Sequence, residues 1–234
     1  MESETSSAVK NYYDDFAIQQ GRTGINLRHL TIASKLKKEK LRDVQLILEV
    51  GCGIGTFTNL LSKQFSSGKI VAVDISPKSI EAAKQLNRGR SNIEFRISDM
   101  KTWVTNEKFD LIILPDVLEH IPADVHSNFF KLLSDISTSL ATIIIHIPDP
   151  YFQEWSKIHQ PEIMQIIDQS IYSDKLLEAA YGAGFYLHKL ESYCLFHTLP
   201  DYQWIVLKKT PPKEFHKKSL SFRIADKYFK KLFS

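Results

Sequence analysis

Short apolar runs alternate with helical stretches along residues 46–147. The apolar runs are LILEVG, KIVAVDI, IEFRIS, FDLIILPD and ATIIIHI. Between them, TFTNLLSKQF, PKSIEAAKQLN and HSNFFKLLSDISTSL repeat apolar positions with the period of an α-helix. Strands that alternate with helices of this length predict a mainly parallel sheet with helices on both faces. The continuous runs LIIL and TIIIHI are typical of strands buried on both sides.

The two ends of the chain have a different pattern. Before residue 46, apolar positions at helical spacing follow a polar start and two glycines, which predicts two helical pieces joined by a turn. After the fifth apolar run, SDKLLEAAYGAGF predicts a further helix. The runs YLHKLESYCLFHTLP and DYQWIVLKK then predict an antiparallel pair of strands at the edge of the sheet.

Composition places the chain among ordinary globular proteins. The 234 residues are 43% hydrophobic and 24% charged, which fits one domain with appendages. No run approaches the ~18 apolar residues of a membrane span, and the first residues lack a signal-peptide core, so we expect a cytoplasmic protein. The two cysteines predict neither a disulfide framework nor a metal site.

The positive charge is concentrated at the end of the chain. Residues 208–234 hold nine Lys or Arg and two acidic residues, although the formal charge of the whole chain is only +3. The remaining body is therefore mildly acidic, which argues against a nucleic-acid partner. Plotted as a helix, residues 219–234 separate apolar from basic side chains, so this tail is predicted to be amphipathic.

A glycine-rich loop follows the first predicted strand in LEVGCGIGT. Its glycines, Gly51, Gly53 and Gly55, let backbone N–H groups approach a ligand that a Cβ atom would hold away. Thr56 stands where the dinucleotide fingerprint has its third glycine, which weakens the prediction of a pyrophosphate. Asp74 ends the second strand, where an acidic side chain can accept hydrogen bonds from ribose hydroxyls. NAD and S-adenosylmethionine sites share this feature, so Asp74 does not choose between them.

Further motifs follow in SDM, residues 98–100, and in LPDVLEHI after the fourth strand. With LEVGCGIG, VAVDIS and the late helix LLEAAYGAGF, they occur in the order and spacing of one family. Over residues 46–209 the chain resembles class I S-adenosylmethionine-dependent methyltransferases of the small-molecule kind. The resemblance implies a Rossmann-like α/β fold, with a seven-stranded, mostly parallel sheet whose last strand is antiparallel. It also implies S-adenosylmethionine as the cofactor.

The resemblance assigns the cofactor-binding residues by position. Glu49 and the loop 51–55, which includes Cys52, would hold the methionine portion, and Asp74 the ribose. Three residues would contact the adenine. Asp99 would accept a hydrogen bond from the adenine amino group, and Ile75 and Met100 would pack on the two faces of the ring. The Pro115–Asp116 turn would border the sulfonium.

We expect three regions along the chain. Residues 1–45 form a helical cap over the active site, and residues 46–210 form the cofactor-binding core. Within the core, residues 151–172 form a long, polar and aromatic insert that recognises the acceptor. Residues 211–234 form the basic amphipathic tail, which either lies on a membrane surface or packs on its own domain or on a second copy.

Histidines at strand ends are the predicted catalytic groups. Methyl transfer mainly needs alignment of the acceptor, but a hydroxyl or protonated amine must also lose a proton. Histidine is the side chain best matched to that task at neutral pH, which singles out His120 and His146. Either residue could equally be a hydrogen-bonded structural histidine.

Candidate acceptor contacts lie before the first strand and after the fifth. An aromatic ring of Tyr12 or Tyr13 could face the sulfonium, and Arg28 or His29 could reach an anionic group. The predicted substrate-binding residues are Tyr13, Arg28, His29, Asp149, Tyr151, Trp155 and His159.

The sequence therefore predicts an enzyme that methylates an oxygen or nitrogen of a small metabolite, acting as a monomer or homodimer. The basic tail leaves a protein or nucleic-acid acceptor as an alternative. The sequence PDVLEH, where base methyltransferases have an Asn-Pro-Pro-Tyr or Asp-Pro-Pro-Tyr motif, counts against nucleic-acid bases. A non-catalytic protein that retains the fold is a second alternative, and an NAD-dependent dehydrogenase is a more distant one.

Overall fold

The structure is a computed structural model that describes residues 12, 24–39, 41, 44–101, 103–165 and 167–211. The predicted first helical piece apart from Tyr12, the predicted contact Tyr13 and residues 212–234 of the tail lie outside the described residues. The expectations about them therefore stay predictions.

The described residues form seven strands in one sheet: β1 (Leu46–Val50), β2 (Lys69–Asp74), β3 (Ile93–Ile97), β4 (Phe109–Pro115), β5 (Ser137–Pro148), β6 (Tyr186–Tyr193) and β7 (Tyr202–Lys208). Their order across the sheet is β3-β2-β1-β4-β5-β7-β6. Strands β1 to β5 are parallel, and β7 lies antiparallel between β5 and β6. The predicted mostly parallel sheet with an antiparallel last strand is therefore confirmed.

Helices connect the parallel strands, and local chemistry sets several of their ends. The Asn26 and Ser76 side chains accept hydrogen bonds from the first turns of α1 and α3, and Pro77 starts α3 in a conformation suited to a helix. The helices are α1 (Leu27–Lys38), α2 (Thr56–Gln64), α3 (Pro77–Leu86), α4 (His126–Asp135), α5 (Pro150–His159) and α6 (Ser173–Gly182). Short 3-10 turns occupy Leu118–His120, Ala123–Val125 and Pro161–Ile163.

Two segments differ from the prediction. Residues 137–140, predicted as the end of a helix, belong to β5, because α4 ends at Asp135 and the Ser137 hydroxyl donates to the Leu133 carbonyl at 2.6 Å. The connection after β5, predicted as a long loop, contains helix α5. Asp149 caps that helix and Pro150 is its first residue. An Asp followed by Pro is a helix-start signal, so the sequence contained the information needed to predict α5.

The core has one layer on each face of the sheet. On one face, α4 and α6 pack Phe130, Leu133 and Leu176 against the strands. On the other face, α1, α2 and α3 cover the sheet with buried side chains that include Ile32 and Leu61. The described residues contain no helix that is long and apolar enough to cross a bilayer.

Replacement of Phe130, whose side chain is fully buried on α4, tests the packing of the first layer. We expect Phe130→Ala to lower the free energy of unfolding by about 3–5 kcal/mol, because it removes apolar burial and leaves a cavity. The exposed neighbour Lys131 is the matched control, and Lys131→Ala should change stability by less than about 0.5 kcal/mol. Urea unfolding measures both, and equal effects would contradict the assignment of Phe130 to the core.

Candidate active site at the carboxyl ends of the parallel strands

The sheet order places a topological switch point between β1 and β4. Strand β1 has β2 on one side and β4 on the other, so the connections leave it in opposite directions across the sheet. In open α/β sheets, ligands bind outside the carboxyl ends of the strands at such a switch point. Most of the residues singled out from the sequence follow these strand ends.

The loop after β1 requires its glycines. The φ angles of Gly51, Gly53 and Gly55 are 73°, 52° and 77°, in the left-handed region that disfavours other residues. A Cβ atom on Gly51 would also lie 2.4 Å from Cγ2 of Val117, and one on Gly55 would lie 2.7 Å from Nδ2 of Asn87. The loop therefore stays close to the strand ends only because these side chains are absent.

Asp74 holds this loop from the end of β2. One carboxylate oxygen accepts the Gly53 N–H at 2.8 Å, and the other accepts the Ser76 N–H at 2.9 Å. Because both bonds come from the backbone, Asp74 fixes the glycine loop and the start of α3 together. A role in ribose binding stays a prediction.

Glu49 is a buried carboxylate with neither oxygen hydrogen-bonded within the described residues. Burial is the main cause that raises the pKa of Glu49 to about 8, against a smaller opposite effect of the nearby Thr58 hydroxyl. Among the described residues, a charged carboxylate in this position has no cationic partner, so a cationic group of a ligand would stabilise it. The ammonium group in the methionine portion of S-adenosylmethionine meets this need, so the loop and Glu49 fit the predicted cofactor.

The remaining residues predicted around the cofactor differ in exposure. Cys52 is buried, which raises the pKa of its thiol well above the usual value. Asp99 is exposed and accepts the Lys101 N–H at 3.0 Å, while Ile75 is half-buried. Met100 is buried in the core and has a positive φ of 57°. The structure thus places these residues near the predicted edge, and their contacts with adenine stay predictions.

Asp116, directly after β4, is the centre of a hydrogen-bonded network. Its φ of 54° is unusual for a residue with a side chain. One carboxylate oxygen lies 2.7 Å from Nδ1 of His146 and the other 2.9 Å from Nε of Arg28, and its N–H donates to the His146 carbonyl at 2.8 Å. Burial favours the neutral acid, but Arg28 and His146 outweigh it and hold the pKa of Asp116 below its usual value.

His146 lies behind Asp116 and has no exposed surface. Its second ring nitrogen, Nε2, lies 2.7 Å from the Tyr193 hydroxyl, so protein groups occupy both nitrogens. The ring also stacks on Tyr202 with 4.6 Å between the ring centres. This environment suits a His146 that positions Asp116. It suits the predicted role of His146, a base that contacts the acceptor, less well.

His120 belongs to a second buried cluster. Its Nδ1 lies 2.7 Å from the Ile167 carbonyl oxygen and 3.0 Å from a carboxylate oxygen of Asp168. Burial opposes its charge, but the carboxyl groups of Glu119 and Asp168 raise the pKa of His120 above its usual value. Glu119 itself is buried, and one of its oxygens has no partner among the described residues. Burial raises the pKa of Glu119 above its usual value.

Helix α1 brings Arg28 and His29 to this edge. His29 takes part in the cap of the helix, since its N–H donates to the Asn26 side chain at 3.1 Å and its Nδ1 accepts the Asn26 N–H at 3.4 Å. Its ring lies against Phe57, next to the glycine loop. Burial and the neighbouring Arg28 lower the pKa of His29 to about 4, so the ring is neutral at pH 7.

The predicted contacts after β5 lie on or beside α5. Asp149 is buried and accepts the Tyr151 N–H at 3.0 Å and the Gln203 amide at 3.0 Å, which makes it a structural cap. Tyr151 and His159 are exposed, and Trp155 stacks on His159 with 4.7 Å between ring centres. Contacts of these side chains with an acceptor stay predictions. Within the part of the chain that is described, no group of three side chains could hold a metal ion.

The site also contains four residues that the sequence analysis did not identify. They are Glu119, Asp168, Tyr193 and Tyr202. Glu119 lies in the motif LPDVLEHI, so an acidic residue beside buried Leu118 was a usable signal. The other three come from distant segments, and the sequence carries no spacing that relates them to His120 or His146.

Comparison with known proteins agrees with the geometry. Residues 47–138 match the family model described as a methyltransferase domain. A trans-aconitate 2-methyltransferase of Escherichia coli O1:K1 is 24% identical over 203 residues, which cover 83% of this chain and 74% of the relative. A malonyl-[acyl-carrier protein] O-methyltransferase of Ilyobacter polytropus is 34% identical over 100 residues, covering 43% of this chain and 35% of the relative.

The fold is also shared with solved structures. The crystal structure of a magnesium protoporphyrin IX methyltransferase from Synechocystis PCC 6803 with bound SAH superimposes with a TM-score of 0.68 at 16% identity. The match covers 87% of this chain and 99% of that one.

The pKa of Glu49 predicts a pH dependence of stability. Between its ordinary pKa near 4.5 and about 8, the folded protein keeps a proton that the unfolded chain releases. This group therefore makes the free energy of unfolding fall as pH rises from about 4.5 to 8 and level off above that range. Urea unfolding at several pH values should show a steeper fall for the wild type than for Glu49→Gln. Parallel curves would contradict a protonated Glu49.

Removal of the Tyr193 hydroxyl tests the network around His146. Tyr193→Phe leaves Nε2 of the buried His146 without a partner, so we expect the free energy of unfolding to fall by about 1–3 kcal/mol. The matched control is Tyr186→Phe on the same strand, for which we expect a change below about 0.5 kcal/mol. Equal effects of the two substitutions would argue against the hydrogen bond.

Proposed function

We propose that this chain, which is a class I S-adenosylmethionine-dependent methyltransferase, transfers the methyl group to an oxygen or nitrogen of a small metabolite. The observation that carries the proposal is Glu49, a fully buried carboxyl group two positions before the glycine loop that has no cationic partner among the described residues. Such a group is destabilising in the protein alone and is satisfied by a cationic ligand. Asp74 supports the same loop from the next strand, and its predicted contact with the ribose is part of the proposal.

One of the two curated relatives supports a small acceptor. The trans-aconitate methyltransferase, by its name, acts on a small organic acid, and its match covers most of both chains. A protein or nucleic-acid acceptor remains the alternative suggested by the basic tail. Arg28 is paired with Asp116 and His120 lies against Asp168, which does not favour binding of a polyanionic backbone.

Several further features belong to the proposal. The cap formed by residues 1–45, the acceptor-recognition insert at 151–172 and the cytoplasmic location are predictions. So are the state as monomer or homodimer and the docking of the tail on a membrane surface or on protein.

Calorimetry with S-adenosylmethionine and with its demethylated product tests the cofactor. We expect the wild type to bind both. Asp74→Ala should weaken binding by about tenfold or more, because the loop loses the acceptor that fixes Gly53. Gly53→Arg should abolish binding, since a residue with a side chain is strained at this positive φ and would distort the loop.

The control for charge is Glu81→Gln, an exposed residue on the neighbouring helix α3, which should bind like the wild type. An absence of binding in the wild type, or binding that neither loop variant weakens, would favour a non-catalytic protein with the same fold.

A further inference from the structure

Helix α5 turns its large apolar side chains away from the protein. Tyr151, Trp155 and Ile158 lie on one face of the helix and are 73%, 42% and 75% exposed. The buried side of the helix contains the polar residues Gln153 and Ser156, and the Ser156 hydroxyl has no hydrogen-bond partner among the described residues. A helix on a protein surface normally buries its apolar stripe and exposes its polar face. The reverse arrangement indicates that the outer face of α5 contacts a partner.

The loop between β6 and β7, residues 194–200, continues the apolar face of α5. Phe196 and Leu199 in this loop are 57% and 75% exposed. Asp201 is fully buried at the end of the loop, and its carboxylate accepts two backbone N–H groups of the loop at 2.6 and 2.8 Å. These bonds fix the conformation in which the two apolar side chains point to solvent.

The helix and the loop form one surface at the edge of the sheet that holds the candidate site. The rings of Phe152 on α5 and His197 in the loop lie 4.7 Å apart. Helix α5 directly follows β5, and the loop leads to Tyr202, whose ring stacks on His146. We call the exposed apolar side chains of this region the apolar edge surface. They are Tyr151, Trp155, Ile158, Phe196 and Leu199.

The size and charge of the apolar edge surface fit a lipid bilayer better than a second protein chain. Stable interfaces between proteins include about 20–30 residues on each side, many more than this surface offers. The exposed charges of α5, on Glu154 and Lys157, pair with each other at 3.2 Å, so they add no net charge. A few aromatic and aliphatic side chains are sufficient for insertion between lipid headgroups and acyl chains, where Trp and Tyr are enriched.

The basic tail supplies the electrostatic part of such docking. Residues 208–234 hold nine Lys or Arg and two acidic residues. An apolar anchor and a basic segment that act together give stable peripheral binding, whereas either alone is weak. Strand β7 leads from the apolar edge surface to the opposite edge of the sheet over roughly 23 Å. Residues 211–218 span at most roughly 26–29 Å when extended, so residues 219–234 can reach the same bilayer.

We infer that the protein docks on an anionic lipid bilayer with the apolar edge surface inserted at the level of the headgroups. The basic tail adds attraction to anionic lipids, and the carboxyl edge of the sheet then faces the bilayer. In this arrangement Tyr151 and Trp155, which the sequence predicted as acceptor contacts, contact lipid. The inference goes beyond the proposed function and does not depend on it, because docking requires neither cofactor nor methyl transfer.

Co-sedimentation of the full-length protein with vesicles tests the docking. We expect binding to mixed phosphatidylcholine and phosphatidylglycerol vesicles, and weaker binding to phosphatidylcholine alone. The double variant Ile158→Ser with Leu199→Ser should bind both kinds of vesicle about tenfold or more weakly, because its substituted side chains gain nothing by leaving water. High salt should weaken binding to the mixed vesicles only, since it screens the charges of the tail.

The matched control is the double variant Leu86→Ser with Val104→Ser. Both residues are exposed apolar residues, but they lie at the end of α3 and in the connection between β3 and β4, away from the apolar edge surface. We expect this variant to bind vesicles within about threefold of the wild type. Far-UV circular dichroism and calorimetry with S-adenosylmethionine check that the variants are folded.

The fluorescence of Trp155 tests insertion without changing the surface. Its emission should shift to shorter wavelength when mixed vesicles are added to the wild type, because the exposed indole leaves water. Trp155→Phe should remove the shift, since Trp103 and Trp204 lie outside the apolar edge surface and Trp204 is fully buried. This measurement keeps the inference testable if the serine variant is unstable.

Three results would overturn the inference. The first is a wild type that binds neither kind of vesicle. The second is equal binding by the wild type and the Ile158→Ser, Leu199→Ser variant, which would leave the tail as the contact with lipid. The third is a dimer in analytical ultracentrifugation that becomes a monomer in this variant without any vesicle binding, which would assign the surface to a second copy. Binding of S-adenosylmethionine is measured separately, so failure of docking leaves the proposed function standing.

Discussion

The candidate site depends on one buried carboxylate, that of Asp116. It forms an ion pair with Arg28 of α1 and is hydrogen-bonded to the ring of His146, while its backbone N–H donates to the His146 carbonyl. A left-handed backbone conformation at a residue with a side chain costs about 1–2 kcal/mol and persists only where surrounding bonds determine it. Two hydrogen bonds and an ion pair meet that condition here. Asp116 therefore connects α1 to the ends of β4 and β5 and contributes the negative charge at these strand ends.

The antiparallel strand explains how aromatic residues come to support Asp116. Because β7 runs opposite to β5, its first residue, Tyr202, pairs with Pro148 at the carboxyl end of β5. The last residue of β6, Tyr193, pairs with Tyr202 at the same edge. A fully parallel sheet would have put the first residue of a strand at the opposite edge. The order β5-β7-β6 thus delivers one tyrosine to the Nε2 atom of His146 and another to the face of its ring.

The parts of the site that are local in sequence could be predicted, and those that depend on distant contacts could not. The glycine loop and Asp74 are adjacent to strands whose apolar patterns are unambiguous, so their meeting at one edge follows from a parallel sheet. The role of His146 depends on Tyr193 and Tyr202, which lie 47 and 56 positions further along the chain. Strand β5 is buried on both sides near this residue, so alternation of polar and apolar positions gives no direction for its side chain. The predicted end of α4, at residue 140, was wrong. Apolar positions at helical spacing continue by chance beyond Asp135 into the first residues of β5.

The network around Asp116 bears on what methyl transfer from a sulfonium requires. The methyl group is already activated in such a donor, so the protein mainly has to align the attacking atom with the C–S bond. In this chain, Arg28 is paired with Asp116, and Asp116, Tyr193 and Tyr202 hold the ring of His146. Side chains that are fixed before a ligand arrives lose little conformational entropy when it binds. On this argument, the network contributes mainly alignment at the strand ends, which is the requirement that an activated methyl donor leaves to the protein.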